Sequence, residues 1–168
     1  MKRRTLLKLG VAASAVFAVA GGAASLLKPG LQDGRLTEPG RTVFKAVSRG
    51  VLEGTLPVEG PLRTKALQEL LSRIDELTLA LPPHAQHELA QLLSLLASTP
   101  GRHAVAGLEE SWNSASDAQV RNALQSMRLS RLALRQQAYA ALHDITAAAY
   151  FTDAATWAQL GYPGPMKI

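Results

Sequence analysis

The feature that most narrows the fold is a pair of leucine-rich stripes between residues 61 and 97, each bounded by proline. After Pro61, the residues Leu62, Ala66, Leu67, Leu70, Leu71, Ile74, Leu77 and Leu81 recur at spacings of one, three and four, with Arg63, Lys65, Gln68, Glu69, Arg73, Asp75 and Glu76 between them. That is the period of an amphipathic helix. Pro61 suits a first helical turn, where its missing N–H would have no intrahelical partner, and Pro82-Pro83 stops the run. A second stripe, Ala85, Leu89, Leu92, Leu93 and Leu96, starts near His84 and ends before Pro100-Gly101. Burying a leucine side chain is worth about 1.5–3 kcal/mol, so both faces need cover. The short connection predicts a helical hairpin in which each stripe covers the other. The alternative use of such stripes is a coiled-coil seam or an interface.

The flanking segments read the same way. Thr42 to Leu52 predicts a short helix with Val43, Phe44, Val47 and Val51 on one face, broken by residues 54–61. Residues 102–112 predict a weaker helix with Val105, Leu108 and Trp112 inward. Ser116-Asp117-Ala118-Gln119 reads as a capping box ahead of Val120, Leu124 and Met127. The chain bends or runs on near Arg128–Ser130, and Leu134, Ala138, Leu142, Ile145 and Ala149 define a long C-terminal helix. Asp153 can cap a last short turn holding Trp157, with Gly161 ending it. No sustained period-two alternation and no internal repeat appear. The 168 residues suffice for one domain with a core. The expected fold is all-α: a single small bundle of five to seven helices following an N-terminal signal helix.

The beginning of the chain is of another character. Lys2, Arg3, Arg4 and Lys8 precede nineteen uncharged residues, Leu9 to Leu27. A positive stretch followed by an apolar one is the pattern of an export signal. Arg3-Arg4, Leu6, Leu7 and Lys8 resemble the twin-arginine export consensus, which addresses a protein to the periplasm. Nineteen uncharged residues just span a bilayer. An uncleaved inner-membrane anchor is therefore the alternative, although Gly10, Gly21 and Gly22 weaken it. Ala18 with Ala20, or Gly22 with Ala24, offers small-residue cleavage positions. Residues 28–40 hold Pro29-Gly30, Asp33-Gly34 and Pro39-Gly40, which are turn signals. The expected organisation is a signal over 1–27, a linker over 28–40 and a helical body over 41–168.

Composition excludes several functions. The formal charge is +5, but four of the 18 basic residues lie ahead of Leu9, leaving 14 basic against 13 acidic, or +1. Such a body has no basic footprint for nucleic acid. Cysteine is absent, which rules out disulfides, a thiolate nucleophile, cysteine-held iron–sulfur clusters, covalent c-type haem and a lipoprotein anchor. His84, His87 and Glu88 do not match the His-Glu-x-x-His spacing of zinc proteases, and a third ligand would have to come from His103 or His143, so they read as surface residues. His143-Asp144 are two members of an imaginable triad, but neighbours on a helix diverge, and no G-x-S-x-G turn is present. No catalytic, metal or cofactor residue is assigned to this chain. The twin-arginine route carries folded proteins, most often because a cofactor is inserted before export. Its use here points to a partner that carries the cofactor; a body that folds too fast to be threaded is the alternative.

The C-terminal end is the most distinctive part of the body. Of eight aromatic residues, Tyr139, Tyr150, Phe151, Trp157 and Tyr162 fall in the last thirty positions. Pro163 and Pro165 hold the end extended. Concentrated aromatics suggest docking, either on a partner or back on the bundle. The pattern Arg135…Tyr150-Phe151…Trp157…Leu160-Gly161-Tyr162-Pro163-Gly164-Pro165 resembles the gluconate 2-dehydrogenase subunit 3 family, as does Leu108-Glu109-Glu110-Ser111-Trp112-Asn113-Ser114-Ala115 upstream. The likeness covers residues 1–30 and 100–165. It implies a non-catalytic small subunit of a periplasmic dehydrogenase whose large subunit is an FAD-dependent flavoprotein of the glucose–methanol–choline (GMC) type. That subunit typically lacks its own signal, and in some relatives a cytochrome c accepts the electrons. Tyr150, Phe151, Trp157, Gly161, Tyr162, Pro163, Gly164 and Pro165 would then form the partner-binding end. The rival expectations are a stand-alone periplasmic helical adaptor or binding protein, and a small hydrolase with a hidden triad or metal.

Overall fold

Asp33-Gly34 sets the first feature of the fold. Their φ angles are 50° and 74°, the paired left-handed conformation that a two-residue hairpin needs. In the computed structural model, which describes residues 28–161 and 164, this turn joins β1 (Leu31–Gln32) to β2 (Arg35–Leu36). The strands are antiparallel, Leu31 opposite Leu36 and Gln32 opposite Arg35. Leu31 and Leu36 are buried in the core. The segment 28–40, expected as a linker, therefore belongs to the folded body. Its turn signals mark changes of direction, while its two leucines are core residues.

Five main helices follow among the described residues: α1 (Glu38–Val51), α2 (Pro61–Leu79), α3 (Pro83–Ala97), α4 (Asp117–Arg128) and α5 (Ala133–Phe151). The fold is mostly helical, as expected, with the small hairpin as an addition. The anticipated signal helix lies outside the described residues. Among those described, no helix is long and apolar enough to cross a membrane.

Helix α1 is the hub rather than a minor element. It begins at Glu38, with Pro39 in its first turn, where proline costs no hydrogen bond. Val43, Phe44 and Val47 are fully buried, and all four other helices pack against it. Gly40 lets the helix start press against the hairpin, since a Cβ there would run into the Gly30 carbonyl oxygen. Gly40→Ala is accordingly expected to destabilise the body by about 1–3 kcal/mol, the usual cost of overpacking, measurable by urea denaturation.

The two leucine stripes lie where expected but do not cover each other. Leu67, Leu70, Leu71 and Ile74 of α2 pack mainly toward α5 and β2, while Leu89, Leu92, Leu93 and Leu96 of α3 pack toward α1 and β1. The hairpin supplies the surface that the simple helical pair lacked. Three polar contacts hold it there. Gly30 N–H donates to Ser94 Oγ at 3.0 Å, Leu36 N–H donates to Asp75 Oδ1 at 2.7 Å, and Thr78 Oγ1 donates to the Gly34 carbonyl at 2.7 Å. Asp75 is buried and also pairs with Arg41.

The predicted helix over 102–112 is replaced by irregular structure. A short turn, Thr99–Gly101, runs into a π-helical turn, Arg102–Ala106, and Gly107 at φ 66° ends it. Val105, Leu108 and Trp112 are nonetheless buried, as the pattern required. Arginines satisfy the loop's carbonyls in place of a helical ladder. Arg102 donates to Leu108 and Glu109, Arg49 to Trp112 and Ala115, and Arg135 to Val105. Trp112 Nε1 donates to the Leu96 carbonyl at 2.7 Å, tying the loop to α3.

The capping box before α4 is formed. Ser116 Oγ accepts the Gln119 N–H at 3.3 Å, and Gln119 Oε1 accepts the Ser116 N–H at 2.8 Å. Val120, Leu124 and Met127 face the core. Ser116→Ala is expected to cost about 1 kcal/mol, a modest lowering of the thermal midpoint.

Candidate functional site

The C-terminal end is built on the last turn of α5. Successive helical residues point about 100° apart, so Tyr150 and Phe151 cannot share a role. Tyr150 is buried, and its hydroxyl donates to the Thr55 carbonyl at 3.3 Å. Phe151 faces outward, 37% exposed, with its ring edge-on to Tyr150 at 5.2 Å. Of the pair, Phe151 presents surface and Tyr150 serves the core.

Beyond Phe151 the chain tightens into a 3-10 helix, Ala154–Leu160. Asp153 starts it, its Oδ1 accepting the Ala155 N–H at 2.9 Å. Buried Thr156 closes the turn by donating its hydroxyl to the Asp153 carbonyl at 2.7 Å. Half-buried Trp157 donates its indole N–H to the Phe151 carbonyl at 2.8 Å. Gly161, at φ 66°, turns the chain, and a Cβ on Gly164 would stand 3.5 Å from the Trp157 ring. Gly164 therefore lies beside the Trp157 ring.

Arg73 of α2 clamps this arrangement. Its Nε donates to the Ala149 carbonyl at 3.0 Å, and its guanidinium meets Asp153 Oδ2 at 3.3 Å. One side chain thus supplies both a C-terminal carbonyl of α5 and the carboxylate that begins the next turn. Hydrogen bonds from charged groups contribute about 1.5–3 kcal/mol each. Arg73→Ala is expected to loosen the end, raising amide hydrogen exchange at Ala155–Trp157 while leaving α4 protected.

The structure brings Tyr150, Phe151, Trp157, Gly161 and Gly164 together at one end of the body. Tyr162, Pro163 and Pro165 lie outside the described residues, as do Arg3, Arg4, Leu6, Leu7 and Lys8. The histidines are scattered. His84 and His87 are exposed at the start of α3, His103 leans on the Glu109 carbonyl, and His143 stacks on Tyr139 while its Nδ1 meets Asp144 at 3.0 Å. Among the described residues, no group of three His, Asp or Glu side chains is placed to hold a metal ion.

Two features escaped the sequence reading. Asp75 sits on the apolar face of α2, four residues after Leu71, and a carboxylate in that register was the available signal of a buried polar anchor. Asp117 gathers Arg49 and Arg63, joining α1, α2 and α4; nothing in local spacing announces that triplet. Compared with protein-family models, curated proteins and solved structures, the chain matches none.

Proposed function

We propose that this chain is the non-catalytic small subunit of a periplasmic flavin-dependent dehydrogenase of the GMC type, acting as twin-arginine export escort and stabilising partner of the catalytic subunit. One observation carries the reading: Arg3-Arg4, Leu6, Leu7 and Lys8 form a folded-protein export address on a body whose sequence has no cofactor-binding motif. An address of that kind is useful to a partner that must fold around FAD before crossing. The ending Trp157…Gly161-Tyr162-Pro163-Gly164-Pro165 supports the choice of partner through its resemblance to the small-subunit family.

In this reading, substrate and FAD belong to the large subunit, and a cytochrome c is a further candidate partner as electron acceptor. Phe151, the half-buried Trp157 and the Pro-Gly-Pro end supply an aromatic docking surface of the kind that dominates interface energetics. Phe151→Ala is expected to weaken capture of the large subunit by about tenfold or more, since truncated anchors cost about 2 kcal/mol, while the thermal midpoint of the body stays nearly unchanged.

The test is co-purification. A tagged copy is co-expressed with a GMC-type flavoprotein of the same organism and recovered from periplasm. Joint elution is expected. A stable monomer recovered without the flavoprotein would overturn the escort role and favour a stand-alone periplasmic helical adaptor or binding protein.

A further inference from the structure

We propose that an apolar groove between the start of α1, the end of α3 and Trp112 is the seat of Leu26 and Leu27, the last residues of the chain's own N-terminal segment. The groove has a volume of about 530 Å³ and is lined chiefly by Pro39, Thr42, Ala97, Ser98 and Trp112, with the charged residues Lys28 and Glu38 also in its lining. That volume falls within the range of roughly 300–1,000 Å³ typical of sites that bury an apolar ligand.

The occupant is argued from where the described chain begins. Lys28 already lines the groove. The two residues after it are pinned. Thr37 donates its hydroxyl to the Pro29 carbonyl and its N–H to the Gly30 carbonyl, and the Gly30 N–H donates to Ser94 Oγ on the groove wall. Gly30 also abuts Ser94 so closely that a Cβ there would collide with the α3 backbone. The exit of the N-terminal segment is thereby fixed beside the groove, and Leu27 is one peptide link, about 3.8 Å between Cα atoms, from a residue of its wall. Ala23-Ala24-Ser25-Leu26-Leu27 carries no charge, so nothing in it resists an apolar seat. A segment tethered at the site occupies it at high effective concentration, ahead of any free partner.

The consequence concerns the junction between address and body. Cleavage after Ala24 would require Leu26 and Leu27 to leave the groove, whereas cleavage after Ala20 leaves them seated. The inference does not depend on which partner the body carries.

The chain has no cysteine, so introduced pairs report without background. In the full-length protein purified from cytoplasm, Leu27→Cys is combined with Ala97→Cys, with Thr42→Cys, or with Glu69→Cys on the exposed face of α2. Mild oxidation is expected to close the first or the second pair within the monomer and leave the third open. A companion measurement uses Ala97→Cys alone. Its labelling by a thiol reagent is expected to quicken several-fold when Leu26→Ser and Leu27→Ser are added. Covalent dimers would place a second copy in the groove. Those dimers, equal closure of all three pairs, closure of none, or labelling rates unchanged by the two serines would each overturn the proposal. Co-purification of the flavoprotein with the same variants is read separately, so loss of the escort role and loss of the docked junction are distinguishable.

Discussion

Replacing Arg3 and Arg4 together with lysine is expected, under the proposed escort role, to leave both this chain and the proposed flavoprotein partner in the cytoplasm. The change keeps the formal charge at +5. What it removes is the planar guanidinium fork, which binds carboxylates in paired geometry where an ammonium is only a point charge. A receptor that reads paired arginines loses its contacts, while a purely electrostatic attraction to the membrane does not. Arg3 and Arg4 lie well ahead of Lys28, where the described residues begin, so the change removes none of the contacts described for the body. The partner's location is the decisive readout in cell fractions. If this chain is trapped while the flavoprotein still reaches the periplasm, the flavoprotein has its own route and the escort role is wrong.

Phe44→Ala is expected to produce the largest loss of stability of any single truncation in the body. Phe44 is 0% exposed at the middle of α1, and α1 is the helix against which the other four pack. Removing a buried phenylalanine costs about 3–5 kcal/mol in lost transfer energy and residual cavity. Domains of this size hold only about 5–15 kcal/mol in total, so the variant stands near the edge of folding. The thermal midpoint should fall on the order of 10–20 °C. A fall of only a few degrees would mean that α1 is not the centre of the core. The contrast with Ser116→Ala, one lost cap at the surface, separates packing from local hydrogen bonding.

The proposed escort role places one requirement on core stability. A protein carried across a membrane in its folded state must stay folded with its passenger attached. Contacts between distant segments serve that end. Arg73 ties α2 to the end of α5, Asp75 ties α2 to the hairpin, and Asp117 ties α4 to α1 and α2.

Elements governed by local rules were legible. The prolines at 61, 82 and 83 and the 3.6-residue period placed α2 and α3 nearly to the residue, and Ser116 with Gln119 announced α4. What local rules could not show is which surface each stripe meets. The strands of the hairpin are two residues each, too short for any alternation, so α2 and α3 were paired with each other for want of a visible third surface. Pro39-Gly40 reads as a turn by composition, yet Pro39 opens α1 and Gly40 makes room for Gly30. In the segment 102–112 the apolar spacing was correct about burial and wrong about helix, because Gly107 adopts a left-handed conformation and arginine side chains replace the backbone ladder.

At the C-terminal end, composition marked the region but not the division of labour within it. Tyr150 and Phe151 are equivalent as letters, and a rotation of one helical step makes one a core residue and the other a surface residue. The turn at Gly161 was legible as a glycine ending the last helical turn, whereas the Arg73 clamp on Ala149 and Asp153, drawn from a distant helix, was not. The apolar groove beside Lys28 draws on three separated segments, and no window of sequence contains it.

The central claim is that the export address and the prosthetic group reside on different chains. The most direct measurement is a cofactor analysis of the two subunits after the periplasmic complex is dissociated and separated, by absorption spectrum for flavin and haem and by elemental analysis for metal. The expected result is flavin with the large subunit and no flavin, haem or metal with this chain. Tight, stoichiometric binding of any of them by this chain alone would contradict the account.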